Sequence, residues 1–337
     1  MGKGKEERVN APAADHGPTA SLDVLRERAE LLTAVRQYFR DKGYWEVETP
    51  ILSHDVVVDA HLDPFVVEEP GREFFLQTSP EFGMKRLLAA GADAIFQITR
   101  AFRRNERGRL HNPEFTIVEW YRVGDSYHHQ MAEVEGLVRS VLNSSGCSSS
   151  GELRDTAFAR LTYDDAFHRA IGCGVLEKSP AQLLGLASQH KVTIPSGLDI
   201  NDRDSLLNLL LAELVEPTLG KTQPEFLYDY PASQAALARS RDEIAERFEL
   251  YIDGIELCNG YQELTDADEL ASRNLRQAEV RTVNGHRQLP VRSRLIDAMH
   301  TGLPDCSGVA MGFDRLAMIA LRAESIDDVI PFPFERA

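Results

Sequence analysis

The sequence predicts an α+β fold in which an antiparallel β-sheet is flanked by helices. Three observations carry this. Strand-like runs come in neighbouring pairs joined by a turn or a polar loop, so they close as hairpins. Helical periods sit at the start, middle and end of the chain instead of alternating with single strands as βαβ units would. Finally, 337 residues with 43% hydrophobic and 27% charged side chains are enough to fill a large core.

The elements follow in order. Residues 1–20 are rich in Gly, Ala, Pro and charge without an apolar period, and are expected to form a disordered tail. From Leu22 to Asp41, Leu25, Leu31, Leu32, Val35, Tyr38 and Phe39 recur at helical spacing, with Ser21 as N-cap and Gly43 as the stop. Tyr44–Val47 alternates as a short strand ending near Pro50. Ile95–Phe102 and Phe115–Trp120 are expected strands on either side of the polar loop RRNERGRLHNPE. Residues 144–151 (SSGCSSSG) have the composition of a flexible connection. Asp204–Val215 is an apolar helix. Phe248–Ile252 and Ile255–Leu257 flank Asp253-Gly254, a two-residue hairpin turn. Thr265 with Asp268 has the form of a capping box opening a helix toward Gly285. Near the end, the small-residue strand SGVAMG runs into the helix FDRLAMIALRAE.

Composition narrows the function. With 37 basic and 53 acidic side chains the net charge is −16, so broad, nonspecific nucleic-acid binding is not expected. Four cysteines without a CxxC pair give neither a disulfide framework nor a zinc knuckle. There is no apolar run long enough to span a membrane, and the first residues lack a signal-peptide pattern. A cytoplasmic protein is expected. Gly220-Lys221-Thr222 imitates the end of a phosphate-binding loop, but Val215 stands where that pattern needs glycine.

Three clusters carry more. Arginines at 100, 103, 104, 107 and 109 crowd the strand–loop–strand from Ile95 to Tyr121 in an otherwise acidic chain, and guanidinium forks suit phosphate oxygens. His111, Asn112, Glu114 and Phe115 follow. Glu256, Asn259 and Glu263 form the second cluster, and paired carboxylates near phosphate can hold Mg²⁺. The third is Gly312-Phe313-Asp314-Arg315, a glycine that lets the backbone approach closely before an arginine opens a helix.

These residues, taken in order, resemble the catalytic domain of a class II aminoacyl-tRNA synthetase of the lysyl type. The first motif is RERAELLTAVRQYFRDKGYWEVETP (26–50), the second FRRNERGRLHNPEFTIVEWY (102–121) and the third SGVAMGFDRLAMIAL (307–321). TSPE (78–81), PASQAALA (231–238) and ELCNGYQEL (256–264) match as well. Within the family the chain is similar to short lysyl-type paralogues that attach β-lysine to elongation factor P. The first motif begins near Leu22, which leaves no room for an anticodon-binding domain, and Ala310 replaces the glycine usual in lysyl-tRNA synthetases. The resemblance implies one catalytic domain over residues 21–337 with a helical insertion at about 165–225.

It also implies the chemistry: adenylation of lysine or (R)-β-lysine by ATP with Mg²⁺, then transfer to a lysine of elongation factor P, by a homodimer, with tRNA and membrane disfavoured as partners. By resemblance Arg103 and Arg315 are catalytic. ATP would be held by Arg103, Arg104, Asn105, Asn112, Phe115, Glu256, Leu257, Gly312 and Arg315. The amino acid would meet Ser79, Pro80, Glu81, Glu119, Tyr121, Asn259, Glu263 and Ala310, and Mg²⁺ would sit on Glu256 and Glu263. One departure stands out. The family pattern Phe-Arg-x-Glu is here Phe102-Arg103-Arg104-Asn105-Glu106. Loop length to His111 makes Arg103 the α-phosphate clamp, with Asn105 in the place of Glu. A shift of one residue would make Arg104 the clamp and restore Glu106. Strand neighbours point to opposite faces, so only one arginine can enter the site. A tRNA-charging enzyme without its anticodon domain and a noncatalytic paralogue are the competing readings.

Overall fold

The computed structural model describes residues 16–60, 62–144 and 156–337. Most of the expected tail and residues 145–151 of the expected connection lie outside these. The end of the tail is docked: Thr19 N–H donates to the Pro331 carbonyl at 2.9 Å and Ala20 is buried.

Helix α1 (Leu22–Asp41) begins where Ser21 Oγ accepts from Val24 N–H, and buries Leu31, Val35 and Phe39 on one stripe. There follow β1 (Trp45–Glu46), β2 (Leu52–Ser53), β3 (Val66–Glu69), β4 (Arg72–Leu76), α2 (Glu81–Ala89), β5 (Ala94–Phe102), β6 (Glu114–Val123) and α3 (Tyr127–Ser144). Then come β7 (Ala159–Thr162), α4 (Tyr163–Ile171), α5 (Pro180–Gln189) and α6 (Arg203–Leu210), whose last turn widens into a π-turn over Leu211–Val215. The chain continues with β8 (Glu225–Pro231), β9 (Ser240–Arg241), β10 (Ile244–Ile252), β11 (Ile255–Gln262), α7 (Ala267–Val283), α8 (Arg294–Gly302), β12 (Cys306–Gly312) and α9 (Phe313–Leu321). Asp253 and Gly254 both take positive φ, 54° and 73°, and close the β10–β11 hairpin as expected. The cap of α7 is one residue later than expected. Asp266, not Thr265, accepts from the N–H groups of Asp268 and Glu269, because its carboxylate reaches both.

The main sheet has the order β1-β5-β6-β12-β11-β10-β8-β7, with β9 beside β10. Its interior pairs are antiparallel, but β1 pairs parallel with β5, and β7 with β8. The sheet is therefore mixed at its edges. Both edge pairs are joined by long crossovers instead of turns, β1 to β5 through the small sheet and α2, and β7 to β8 through α4, α5 and α6, and only such crossovers allow parallel pairing. A small sheet, β2-β4-β3, stands beside it.

Helices α1, α3 and α9 cover one face of the main sheet, where Phe39, Phe96, Trp120, Leu137, Phe313 and Leu316 form a dry core. A second core joins α4, α5 and α6 to β8 and β10 through Phe167, Leu206, Leu210, Leu227 and Tyr230. Each fully buried Leu or Phe contributes roughly 1.5–3 kcal/mol. A buried ion pair crosses the first core. Arg28 of α1 donates to Asp314 of α9 at 2.5 Å and to Thr116 Oγ1 at 3.0 Å, and Asp314 also accepts from Thr116 N–H at 2.8 Å. The opposite face of the sheet, under α2 and α7, is left open as a cavity.

Candidate active site

The cavity measures about 1070 Å³. β6, β11 and β12 form its floor, and the register brings three side chains into line across them. Asn259 on β11 lies opposite Ala310 on β12, which lies opposite Glu119 on β6. Gly308, Ala310 and Gly312 share that face and keep it open. A methyl group at Gly308 would come 2.3 Å from the Tyr121 ring and 2.7 Å from Glu263 Oε1, so only glycine fits there.

The deep end is anionic. Glu119 accepts from Ser79 Oγ at 2.7 Å and from Tyr121 Oη at 2.6 Å. Glu81, in the first turn of α2, and Glu263, just past β11, each stand 2.5 Å from Lys85 Nζ. Two carboxylates thus share one ammonium, and the third, Glu119, is close enough to feel its charge. Burial pushes Glu119 up to about 7, and Glu81 adds to the rise. Burial likewise takes Glu263 to about 8, although Lys85 opposes it. Burial would lower the Lys85 ammonium, but Glu263 and Glu81 outweigh it and hold the group above its usual range. Fully ionised, the deep end would carry more negative charge than Lys85 neutralises, and the raised values of Glu119 and Glu263 reflect that excess.

The other end is cationic. Arg103 stacks 5.0 Å above the Phe115 ring and points toward the Thr78 carbonyl at 3.5 Å. Arg315, in the first turn of α9, donates to the Glu256 carbonyl at 2.7 Å, lies 3.6 Å from the Glu256 carboxylate, and touches His111 Nε2 at 2.7 Å. Burial lowers the His111 pKa, and Arg315 lowers it further, so a neutral ring sits between two arginines. Asn112 donates to the Glu114 carbonyl and accepts from Phe334 N–H, which fixes the loop.

Ser79, Glu81, Arg103, Asn112, Phe115, Glu119, Tyr121, Glu256, Leu257, Asn259, Glu263, Ala310, Gly312 and Arg315 all line this one cavity. Three expected residues do not. Pro80 is buried as the N-cap of α2. Arg104 is exposed, and its N–H is tied to the Asp63 carbonyl at 2.8 Å. Asn105 is exposed at φ 70°, a left-handed conformation that Asn tolerates better than Glu. That turn explains the departure from Phe-Arg-x-Glu. It inserts one residue, so Arg103 and Glu106 both reach the cavity, 3.7 Å apart, while the two residues between them face outward.

The expected metal pair is also corrected. Seven residues along an extended strand span about 23 Å, too far for one ion to join Glu256 and Glu263, and one oxygen of Glu263 already faces Lys85. The carboxylate near Glu256 is Glu249 of β10. It accepts from Tyr230, Tyr251, Asn259 and Arg247. Enclosure raises Glu256 to about 7 and Glu249 adds to the rise, against Arg315, Arg247 and Arg103. Among the described residues no group of three or more His, Cys, Asp or Glu forms a metal cage. A carboxylate open to the cavity and backed by a second one fits a hard cation that shares its remaining sites with phosphate oxygens and water. Glu249, Arg247 and Lys85 escaped sequence reading. Glu249 and Arg247 share a face of β10 at positions i and i+2, and only the pairing of β10 with β11 brings them to the site.

The family model of tRNA synthetases class II (D, K and N) matches residues 5–336. An elongation factor P--(R)-beta-lysine ligase of Vibrio parahaemolyticus is 44% identical over 326 residues, covering 94% of this chain and 97% of that protein. A ligase of the same name from Salmonella paratyphi A is 44% identical over 329 residues, covering 95% of this chain and 98% of its own length. A third, from Vibrio campbellii, is 44% identical over 326 residues, with 94% and 97% covered.

Proposed function

As the chain belongs to the class II tRNA synthetases (D, K and N) and is an ATP-dependent ligase of that family, we propose that it adenylates a lysine-like diamino acid and transfers it to a lysine side chain of elongation factor P. The observation that carries the substrate class is the deep end of the cavity, where Glu81, Glu119 and Glu263 face a single buried ammonium. A diamino acid brings two ammonium groups to balance them. The acceptor is supported by the names of the relatives, which match over nearly their whole length.

The amino-acid carboxylate attacks the α-phosphate of ATP and pyrophosphate leaves. Arg103, on the rim between the two ends, faces the charge that develops on the α-phosphate oxygens. Phe115 stacks on one face of adenine and Arg315 covers the other while it clamps the γ-phosphate. Asn112, Gly312 and the Glu256–Leu257 backbone complete the nucleotide site. Glu256, with Glu249 behind it, would hold Mg²⁺, which neutralises phosphate charge when bound. Glu119 and Glu81 take the amino group nearer the carboxylate, Glu263 and Tyr121 the distal one, and Asn259 orients the carboxylate. The acceptor amine then attacks the activated carbonyl, an amide forms and AMP leaves.

The methyl of Ala310 stands between Asn259 and Glu119, where an α-amino group would crowd it. A β-amino acid carries that nitrogen one carbon further along, so (R)-β-lysine is the favoured isomer. Exposed Leu22, Trp45, Ile51 and Leu52 lie on or beside α1, β1 and β2 and fit a two-fold interface, so the active form is a homodimer. No helix among the described residues is long and apolar enough to cross a membrane, and the working compartment is the cytoplasm. The decisive experiment offers radiolabelled α- and β-lysine with ATP to elongation factor P and to tRNA in parallel. Labelled factor, formed in the presence of RNase, is the expected result. Charged tRNA with unmodified factor would overturn the acceptor.

A further inference from the structure

Lys85 takes no part in the chemistry just derived, yet it is one of the largest fully buried side chains, 1% exposed. It lies one turn after Glu81 on α2, and its Nζ stands 2.5 Å from both Glu81 and Glu263 and 6.0 Å from the centre of the Tyr121 ring. The cavity is lined by Glu81, Glu119, Tyr121 and Glu263, whereas Lys85 stands behind them. A buried ammonium is a poor way to fill a core. An apolar side chain of similar length fills the same space without desolvating a charge. Its presence calls for an account in terms of the groups it faces.

Those groups are Glu81 on its own helix, Glu119 and Tyr121 on β6, Glu263 beyond β11, and the Cys306 thiol on β12. Burial pushes Cys306 and Tyr121 far above neutrality, so both are uncharged. Three carboxylates and one ammonium remain, a formal charge of −2 once all three carboxylates are ionised, the state that two bound ammonium groups favour.

We infer that Lys85 is a positioning residue for substrate selection: from behind the wall it holds Glu81 and Glu263 in place and sets the deep end at the charge that two substrate ammonium groups neutralise. This rests on the reading of the cavity as a diamino-acid site. Without Lys85 the pocket does not become more attractive. Glu119 and Glu263 already sit at about 7 and about 8 although Lys85 pulls both down, so near neutral pH they are poised to release their protons when an ammonium arrives. Take the Lys85 ammonium away and both rise further, so at neutral pH they hold their protons more tightly and the substrate must displace them at greater cost. The sign follows. A neutral residue at position 85 weakens amino-acid binding at neutral pH, and raising the pH restores it in part.

The test is ATP–pyrophosphate exchange by Lys85→Met, Lys85→Gln and Lys85→Arg from pH 6.5 to 9, with KM measured separately for the amino acid and for ATP. For Met and Gln the expected result is an amino-acid KM raised on the order of 100-fold at pH 7, as when one member of a buried charged pair is truncated. The acid limb of kcat/KM should move upward by about one pH unit or more, while the KM for ATP changes little. Arg, which keeps the charge, should lie between these variants and the wild type. A wild-type KM and profile in both neutral variants would overturn the inference. So would equal losses in both substrates without a pH shift, or failure of both neutral variants to fold, since Lys85 would then serve stability alone. The underlying reading fails in a different place: a wild-type protein that exchanges with no diamino acid sinks it whatever the variants do.

Discussion

At the deep end of the cavity the charged groups stand on regular elements, Glu119 on β6, Glu81 and Lys85 on α2, and Glu263 at the close of β11. At the nucleotide end Glu256 stands on β11, but the arginines stand on a loop and a helix start, Arg103 after β5 beside Glu106 and Arg315 at the head of α9. Exposure follows the same division. The side chains of Glu263 and Lys85 are 1% and 2% exposed, against 29% for Arg103 and 20% for Arg315. One end is therefore preorganised and dry before any ligand arrives, and the other is partly wet and finishes its contacts with the ligand. Selectivity for the amino acid is built into the first. Stabilisation of phosphate charge is built into the second.

The largest effect that separates the two ends should come from Glu263→Gln. Truncating one member of a buried charged pair costs about 3–5 kcal/mol. The kcat/KM for lysine or β-lysine should fall roughly 10²- to 10⁴-fold, with the KM for ATP nearly unchanged. If both KM values move together, the ends are not independent. Arg315→Ala should do the reverse, lowering exchange at saturating amino acid by about 2.7–4 kcal/mol, the loss seen when a fixed transition-state contact is removed. Normal turnover in that variant would take Arg315 out of the phosphate site.

Smaller effects sharpen the division. Ala310→Gly removes one methyl from the floor between the ends and should shift the α- to β-lysine ratio of kcat/KM by about 10- to 200-fold toward α-lysine, or 1–3 kcal/mol. An unchanged ratio would make Ala310 a packing residue only. The last effect is on stability. Glu119 and Glu263 have folded pKa values raised from 4.5 to about 7 and about 8. The folded protein therefore holds protons that the unfolded chain has released. That contribution is fully present below about pH 4.5 and is lost as pH rises through 7 to 8, at about 1–2 kcal/mol per pH unit. Thermal melts from pH 5.5 to 8.5 should show the free protein losing stability while the gain on adding the amino acid grows. A ligand-induced gain that does not depend on pH would mean that these carboxylates do not meet the substrate.

Legibility in the sequence follows the same physics. Helix α1 could be read to the residue because a cap, an apolar stripe and a stop are local signals, and Ser21 does cap it. The hairpin at Asp253-Gly254 is equally local. Thr265 and Asp266 both carry capping oxygens, so the pattern alone chose the wrong neighbour. The parallel edge pairs were missed because pairing across a long crossover leaves no mark on either strand. Strand alternation could show that only one of Arg103 and Arg104 enters the cavity. It could not show that a left-handed Asn105 would bring Glu106 in as well. Glu249 reaches the site through its register opposite Asn259, a property of two strands together and of neither alone.

The pair formed by Arg28 and Asp314 has a consequence of another kind. These residues are 286 positions apart in the chain, and both are buried, at 7% and 2% exposure. Replacing either one alone strands a charge in the core beside Arg315 and Thr116, so neither position can drift without the other. The first helix and the last therefore form one heritable unit. Among descendants of this gene, substitutions at 28 and 314 should arrive as matched pairs or not at all, and a recombination that exchanges one terminus for that of a relative should survive only where both partners travel together.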